Sequence, residues 1–175
     1  MQSIQTVSEN TIYVGASDRR LAKFENLFPI PRGVSYNAYV ILDEKTALLD
    51  TADASVGAQF LENVAAALDG RKLDYLIVDH MEPDHAAMIE AVLVRWPDLR
   101  LVVNAKTLPM LKMYFPTDIA AFDDALVVKE GDTLDLGKHK LTFVMAPMVH
   151  WPEVMMTFDT TTGTLFSADA FGTFG

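Results

Sequence analysis

Residues Tyr75-Leu76-Ile77-Val78-Asp79-His80-Met81-Glu82-Pro83-Asp84-His85 decide how this chain is read. Tyr75 to Val78 is a short apolar run of the kind that forms a buried strand, and such a strand brings the backbone to the rim of a sheet. The loop behind it carries two imidazoles and three carboxylates within seven positions. Pro83 fixes its own φ and pushes Glu82 out of the α region, so helix is expected only beyond it. Asp84 suits the N-cap of a helix over the apolar stretch Ala86 to Trp96, which leaves His85 at the helix start with its ring near the loop. Imidazole nitrogens and carboxylate oxygens converging on one point suit a divalent or trivalent cation. A solvated acidic loop with a helix cap is the competing reading. It loses ground because two histidines, a glutamate and an aspartate share one strand exit.

On the amino-terminal side of this loop, Thr11 to Val14 reads as a short strand, and Pro29 and Pro31 stop any helix after Phe24 to Phe28. Tyr36 to Leu42 pairs with Thr46 to Leu49 as a β-hairpin across Asp43-Glu44-Lys45. Ser55 is expected to cap a helix from Val56 to about Leu68, with Gly70 just past its end. Beyond the loop, a helix over Ala86 to Trp96, a strand over Leu99 to Val103 and a helix over Thr107 to Tyr114 continue a β/α alternation that calls for a parallel pair. From Leu126 the pattern is strands only: Leu126–Val128, Thr133–Leu136, Lys140–Met145, Met155–Asp159 and Thr164–Ala168, separated by turns at Gly131, Gly137 and Gly163. The fold class expected is therefore layered α/β, with the helices on one outer face of a mixed sheet.

Composition narrows the function. The chain has 175 residues, half of them hydrophobic, enough for one core. No apolar run reaches transmembrane length and the start lacks the pattern of a signal peptide, so a cytoplasmic location is expected. With no cysteine, a metal must be held by nitrogen and oxygen, and disulfides or a thiol nucleophile are excluded within this chain. A formal charge of −10 argues against nucleic acid and anionic membrane as partners.

Two further strand exits carry ligand types. The strand to Met145 leads into Ala146-Pro147-Met148-Val149-His150-Trp151-Pro152, and the last strand leads into Asp169-Ala170-Phe171-Gly172. Taken singly, His150 reads as a satisfied loop histidine and Asp169 as a turn residue. Trp151 and Phe171 read as core residues. His139 belongs to a turn and is a poor ligand.

Taken together, His80, Glu82, Asp84 and His85, then His150, then Asp169 in Ser-Ala-Asp-Ala-Phe-Gly, resemble the diiron domain of the flavodiiron proteins. These are the A-type flavoproteins of the metallo-β-lactamase fold superfamily. The stretches Asp18-Arg19-Arg20-Leu21, Gly33 to Tyr39 and Thr46 to Thr51 are similar to the same family, so the likeness covers essentially the whole chain. Ordinary hydrolases of the superfamily usually carry His where this chain has Glu82.

The resemblance implies a metallo-β-lactamase-like αβ/βα sandwich and two irons. His80, Glu82 and His150 would bind one, Asp84 and His85 the other, and Asp169 would bridge them; in some members the counterpart of His85 turns away. Three carboxylates against two ferrous ions leave a small positive charge, and a carboxylate in place of an imidazole favours the harder, oxidised ion. It implies reduction of O2 to water, of nitric oxide to nitrous oxide, or both. Electrons would come from FMN, with a flavodoxin-like domain, rubredoxin or a reductase as donor, and the protein would form a homodimer. Met148, Trp151 and Phe171 are candidates for an apolar surround. The family has a further ligand His well beyond the bridging Asp and a flavodoxin-like FMN domain; neither falls within residues 1–175, and no phosphate loop for FMN appears in them. The sequence is thus expected to be the N-terminal, incomplete part of such a domain, inactive alone. A metallo-β-lactamase-fold hydrolase using zinc or iron and a non-catalytic remnant remain as alternatives.

Overall fold

Side-chain alternation along the central strands sorts their apolar residues into two cores. The computed structural model describes residues 3–24, 26–115 and 119–172. The first half contains β1 (Gln5–Ser8), β2 (Thr11–Tyr13), β3 (Ala16–Asp18), β4 (Lys23–Phe24), β5 (Phe28–Pro29), β6 (Val34–Tyr36), β7 (Tyr39–Leu42), β8 (Thr46–Leu49) and α1 (Gly57–Leu68). There follow β9 (Tyr75–Ile77), α2 (Pro83–Ala86), α3 (Ile89–Arg95), β10 (Arg100–Asn104) and α4 (Thr107–Tyr114). The chain then runs through β11 (Leu126–Val128), β12 (Thr133–Asp135), β13 (Lys140–Met145), β14 (Met155–Asp159) and β15 (Thr164–Phe166).

Seven strands form a mixed sheet in the order β1-β2-β7-β8-β9-β10-β11, in which β8 through β11 run parallel. The antiparallel sheet β12-β13-β14-β15 stacks on it. In the large sheet Val40, Leu48, Leu76 and Leu101 are neighbours across four strands, and all join the core made with Phe60 and Val64 of α1, Ile89 and Val92 of α3 and Leu111 of α4. The next residues along, Leu49, Ile77 and Val102, form a second row on the opposite face. That row packs on Leu141, Phe143, Met155 and Phe166 of the smaller sheet. Period-two alternation thus places one face under helices and the other under a sheet, as the layered α/β sandwich requires. No described helix is long and apolar enough to cross a membrane.

Several expectations are corrected. The helix over Ala86–Trp96 is two pieces, α2 and α3. The carbonyl of His85, which a continuous helix would pair with residue 89, instead accepts from the amide of Thr51 at 2.8 Å and its hydroxyl at 2.6 Å. The Met88 amide donates to the same hydroxyl. Asp84 is not the cap: helix starts at Pro83 itself, a position where its missing N–H costs nothing, and Glu82 takes the extended N-cap conformation. Asp53 rather than Ser55 caps the turn before α1, its carboxylate accepting from the Ser55 amide. The strand expected over Tyr36–Leu42 is divided, because β6 pairs with β3 in a separate ribbon before β7 enters the large sheet. Residue 25, inside the Phe24 to Phe28 stretch, lies outside the described residues.

Candidate metal centre

All six residues singled out from the sequence meet at the rim where β9, β13 and β15 end. His80 and Glu82 come from the loop after β9, Asp84 and His85 from the first turn of α2, His150 from the loop after β13 and Asp169 from the turn after β15. They form two groups that share Asp169. In the first, His80, Glu82, His150 and Asp169 offer donor atoms all within 4.8 Å of one another; in the second, Asp84, His85 and Asp169 do the same. The Asp169 carboxylate spans them. Its Oδ2 lies 3.3 Å from His80 Nε2 and 3.2 Å from His150 Nε2, while its Oδ1 lies 2.7 Å from His85 Nε2. Glu82 Oε2 is 3.1 Å from His80 Nε2 and 2.8 Å from His150 Nε2. His85 points inward.

The far nitrogens of two of these rings are held by carboxylates that the sequence reading did not select. His80 Nδ1 donates to Glu153 Oε1 at 2.8 Å, and His85 Nδ1 donates to Asp50 Oδ2 at 3.0 Å. Asp50 Oδ1 also accepts from the Asp79 amide at 2.7 Å, and Glu153 Oε1 from the Met81 amide at 2.9 Å, so each carboxylate fixes loop backbone and ring together. Such bonds set the tautomer and turn Nε2 toward a shared point, the arrangement characteristic of metal-bound histidine. A usable signal existed: Asp50 follows the apolar strand Thr46–Leu49, and Glu153 follows His150 by three residues. Asp50, Met148, Ala168 and Phe171 all take left-handed backbone conformations, which concentrates costly geometry around the centre.

The electrostatics are those of an acidic nest filled by protons. Burial opposes charge on His80, but bonds to Asp169, Glu153 and Glu82 outweigh it and push the ring up to about 11. His85 is likewise raised to about 10, burial being outweighed by Asp169 and Asp50. Burial pushes Asp84 up to about 6, helped by repulsion from Asp169 and Glu82. Asp169 is held well below the usual carboxylate range because its bonds to His80 and His85 overcome burial. Asp79, fully enclosed and next to Asp50, is pushed well up by burial; its Oδ1 accepts from Thr157. One oxygen of Asp84 is buried without a hydrogen-bond partner. An orphaned carboxylate oxygen beside converging imidazoles and carboxylates is a donor set that fits hard or borderline divalent and trivalent metals.

Other expectations fare differently. Trp151 is half-buried and packs its ring edge-on against His80, with centroids 5.4 Å apart. Met148 and Phe171 do not enclose the centre: they are 71% and 86% exposed, and Phe171 is no core residue. Phe171 sits beyond the end of β15 in a turn, with a left-handed backbone. His139 is remote in role, buried and bonded through Nδ1 to Asp159 at 2.8 Å.

The family model described as ODP family beta lactamase matches residues 34–175. The chain is 38% identical over 168 residues to the anaerobic nitric oxide reductase flavorubredoxin of Klebsiella pneumoniae, a match covering 95% of this chain and 34% of that protein. The flavodiiron protein from Giardia intestinalis superposes with a TM-score of 0.89 at 27% identity, over 99% of this chain and 42% of its own. The rubredoxin oxygen:oxidoreductase from Desulfovibrio gigas does so with a TM-score of 0.87 at 31% identity, over 93% and 40%. The chain spans 28% and 34% of the length of the curated relatives it matches.

Proposed function

Because the chain belongs to the ODP family of beta-lactamase-like proteins, among the flavodiiron proteins, we propose that it carries the metal centre of a diiron oxidoreductase. The reaction proposed is reduction of O2 to water, of nitric oxide to nitrous oxide, or both, with electrons from FMN. The observation that carries this reading is the Asp169 carboxylate, one oxygen turned to His80 and His150 and the other to His85. A single carboxylate placed between two imidazole groups suits two metal ions side by side.

His80, Glu82 and His150 would hold one iron, Asp84 and His85 would hold the other, and Asp169 would be shared. Two irons that alternate between ferrous and ferric states would supply electrons and adjacent coordination positions to a diatomic substrate. The rest is done by the chain itself. Glu153 and Asp50 orient the rings and keep them basic. Trp151 packs against the fully buried His80 ring and covers that side of it. Glu82 supplies negative charge where related hydrolases supply an imidazole, which favours the oxidised metal.

An FMN-bearing domain, a rubredoxin or a reductase would deliver the electrons, and a head-to-tail homodimer is the assembly proposed. The test is metal analysis of the full-length protein, purified without oxygen or chelator, alongside oxygen and nitric oxide electrodes. About two irons per chain with gas consumption supports the proposal. Zinc with ester, thioester or amide hydrolysis would establish a hydrolase instead, and a metal-free protein would reject both.

A further inference from the structure

Two cavities meet over Glu82 and Asp84. One, of about 580 Å³, is lined by Asp18, Arg20, Tyr36, Asp53 and Ser55 among others. The other, of about 560 Å³, is lined by Arg19, Phe28, Arg32, His150 and Asp169 among others, and so reaches both ligand groups. Among the described residues, Phe24 is the one residue besides Glu82 and Asp84 that lines both.

Phe24 is placed to act as a wall. It sits on β4, whose ribbon with β5 forms a sheet of its own, with Phe24 opposite Phe28. The Leu27 amide closes the ribbon onto the Phe24 carbonyl at 3.0 Å, and the Ile30 amide ties its base to Ala22 at 3.1 Å. Ile30 is buried, which anchors the ribbon, while the half-buried Phe24 packs against the helix-side core. The ring is thus held from the ribbon above and from the core beneath.

Charged and hydroxyl groups line part of the first cavity. Asp18 is gripped by Arg20 through two side-chain bonds, which hold its carboxyl down at about 2, so a fixed ion pair lines that space. Ser55 donates to the same carboxylate, and burial keeps the neighbouring Tyr36 hydroxyl protonated, raised to about 12. The cavity on the His150 side mixes aromatic and cationic groups and gives small molecules a direct approach to Asp169.

We infer that Phe24 is the partition between these two spaces and sets the cross-section of the approach from the His150 side to the ligand groups. It is a specificity-determining residue for the size of molecule admitted. Removing the ring merges the cavities, and enlarging it narrows the approach.

This inference rests on the diiron reading, and the test separates the two. In the iron-loaded full-length protein, azide association with the oxidised centre is followed by stopped-flow absorbance, beside iron content, for the wild type, Phe24→Ala and Phe24→Trp. Phe24→Ala is expected to speed association about tenfold and Phe24→Trp to slow it about tenfold, within the range over which association rates vary among variants of one site. Iron content stays at the wild-type value. A merely structural role would shift both variants in the same direction, so rates that move together, or do not move, overturn the assignment of Phe24. A wild-type protein without iron and without an azide band overturns the diiron reading, and this inference with it.

Discussion

Replacing Glu153 should weaken metal binding at the His80 group more than at the His85 group. Glu153 is buried and charged: burial opposes its ionisation, but bonds from His80 and the Met81 amide hold it down. Its Oε1 accepts from His80 Nδ1 at 2.8 Å and from the Met81 amide at 2.9 Å, and both donors are themselves fully buried. Glu153→Gln keeps the shape and leaves an amide oxygen for both donors but removes the charge that keeps the imidazole basic. Glu153→Ala leaves both donors unpaired. Loss of such a carboxylate typically costs ~10–100-fold in metal affinity, with Gln expected near the lower end and Ala near the upper. The two unpaired donors add ~2–5 kcal/mol of lost stability in Glu153→Ala. The assay is competition with a chromophoric chelator at fixed pH, and urea unfolding of the metal-free proteins separates stability from affinity. Unchanged affinity in Glu153→Ala would refute the reasoning. So would an equal loss at both sites, since Asp50 rather than Glu153 holds His85.

Glu82→His should still bind metal but shift preference from iron to zinc and lose gas reduction; equal iron occupancy with full activity would show that the carboxylate does not tune the metal. Thr51→Val removes the hydroxyl that satisfies the His85 carbonyl and the Met88 amide, and should cost ~1–3 kcal/mol in urea unfolding of the metal-free protein. His80 and His85 are raised to about 11 and about 10, so at neutral pH both carry protons in the metal-free chain. Metal must displace those protons, and metal addition to a weakly buffered sample should release them, with affinity rising with pH. The stabilisation from the two raised histidines is complete below their ordinary 6.5 and is lost as pH rises through about 10 to 11. The metal-free chain should therefore unfold in a less alkaline solution than the metal-loaded one, as circular dichroism across an alkaline titration would register.

Much of the fold was legible in the sequence because its signals are local. The strand Tyr75–Ile77 and the loop behind it are an apolar run followed at once by ligand residues, and the strands of the second half are bounded by glycine turns. The six residues that meet at the rim each follow a strand or begin a helix, so chemistry and position could be read together. The helix break after Ala86 could not be read this way. It is made by Thr51, whose amide and hydroxyl take a carbonyl 34 residues away in the chain.

What the sequence by itself determined was the period-two patterning of the strands, the layered class that follows from it and the kinds of atom offered at each strand exit. Tertiary structure alone decided which oxygen of Asp169 faces which histidine and that Glu153 and Asp50 hold the far ring nitrogens across 73 and 35 residues. It also decided that Phe24 stands between two cavities. The physical reason is range. Patterning and capping are settled by neighbours in the chain, whereas a bond between distant side chains exists only after the two sheets have packed and fixed the rim on which both are carried.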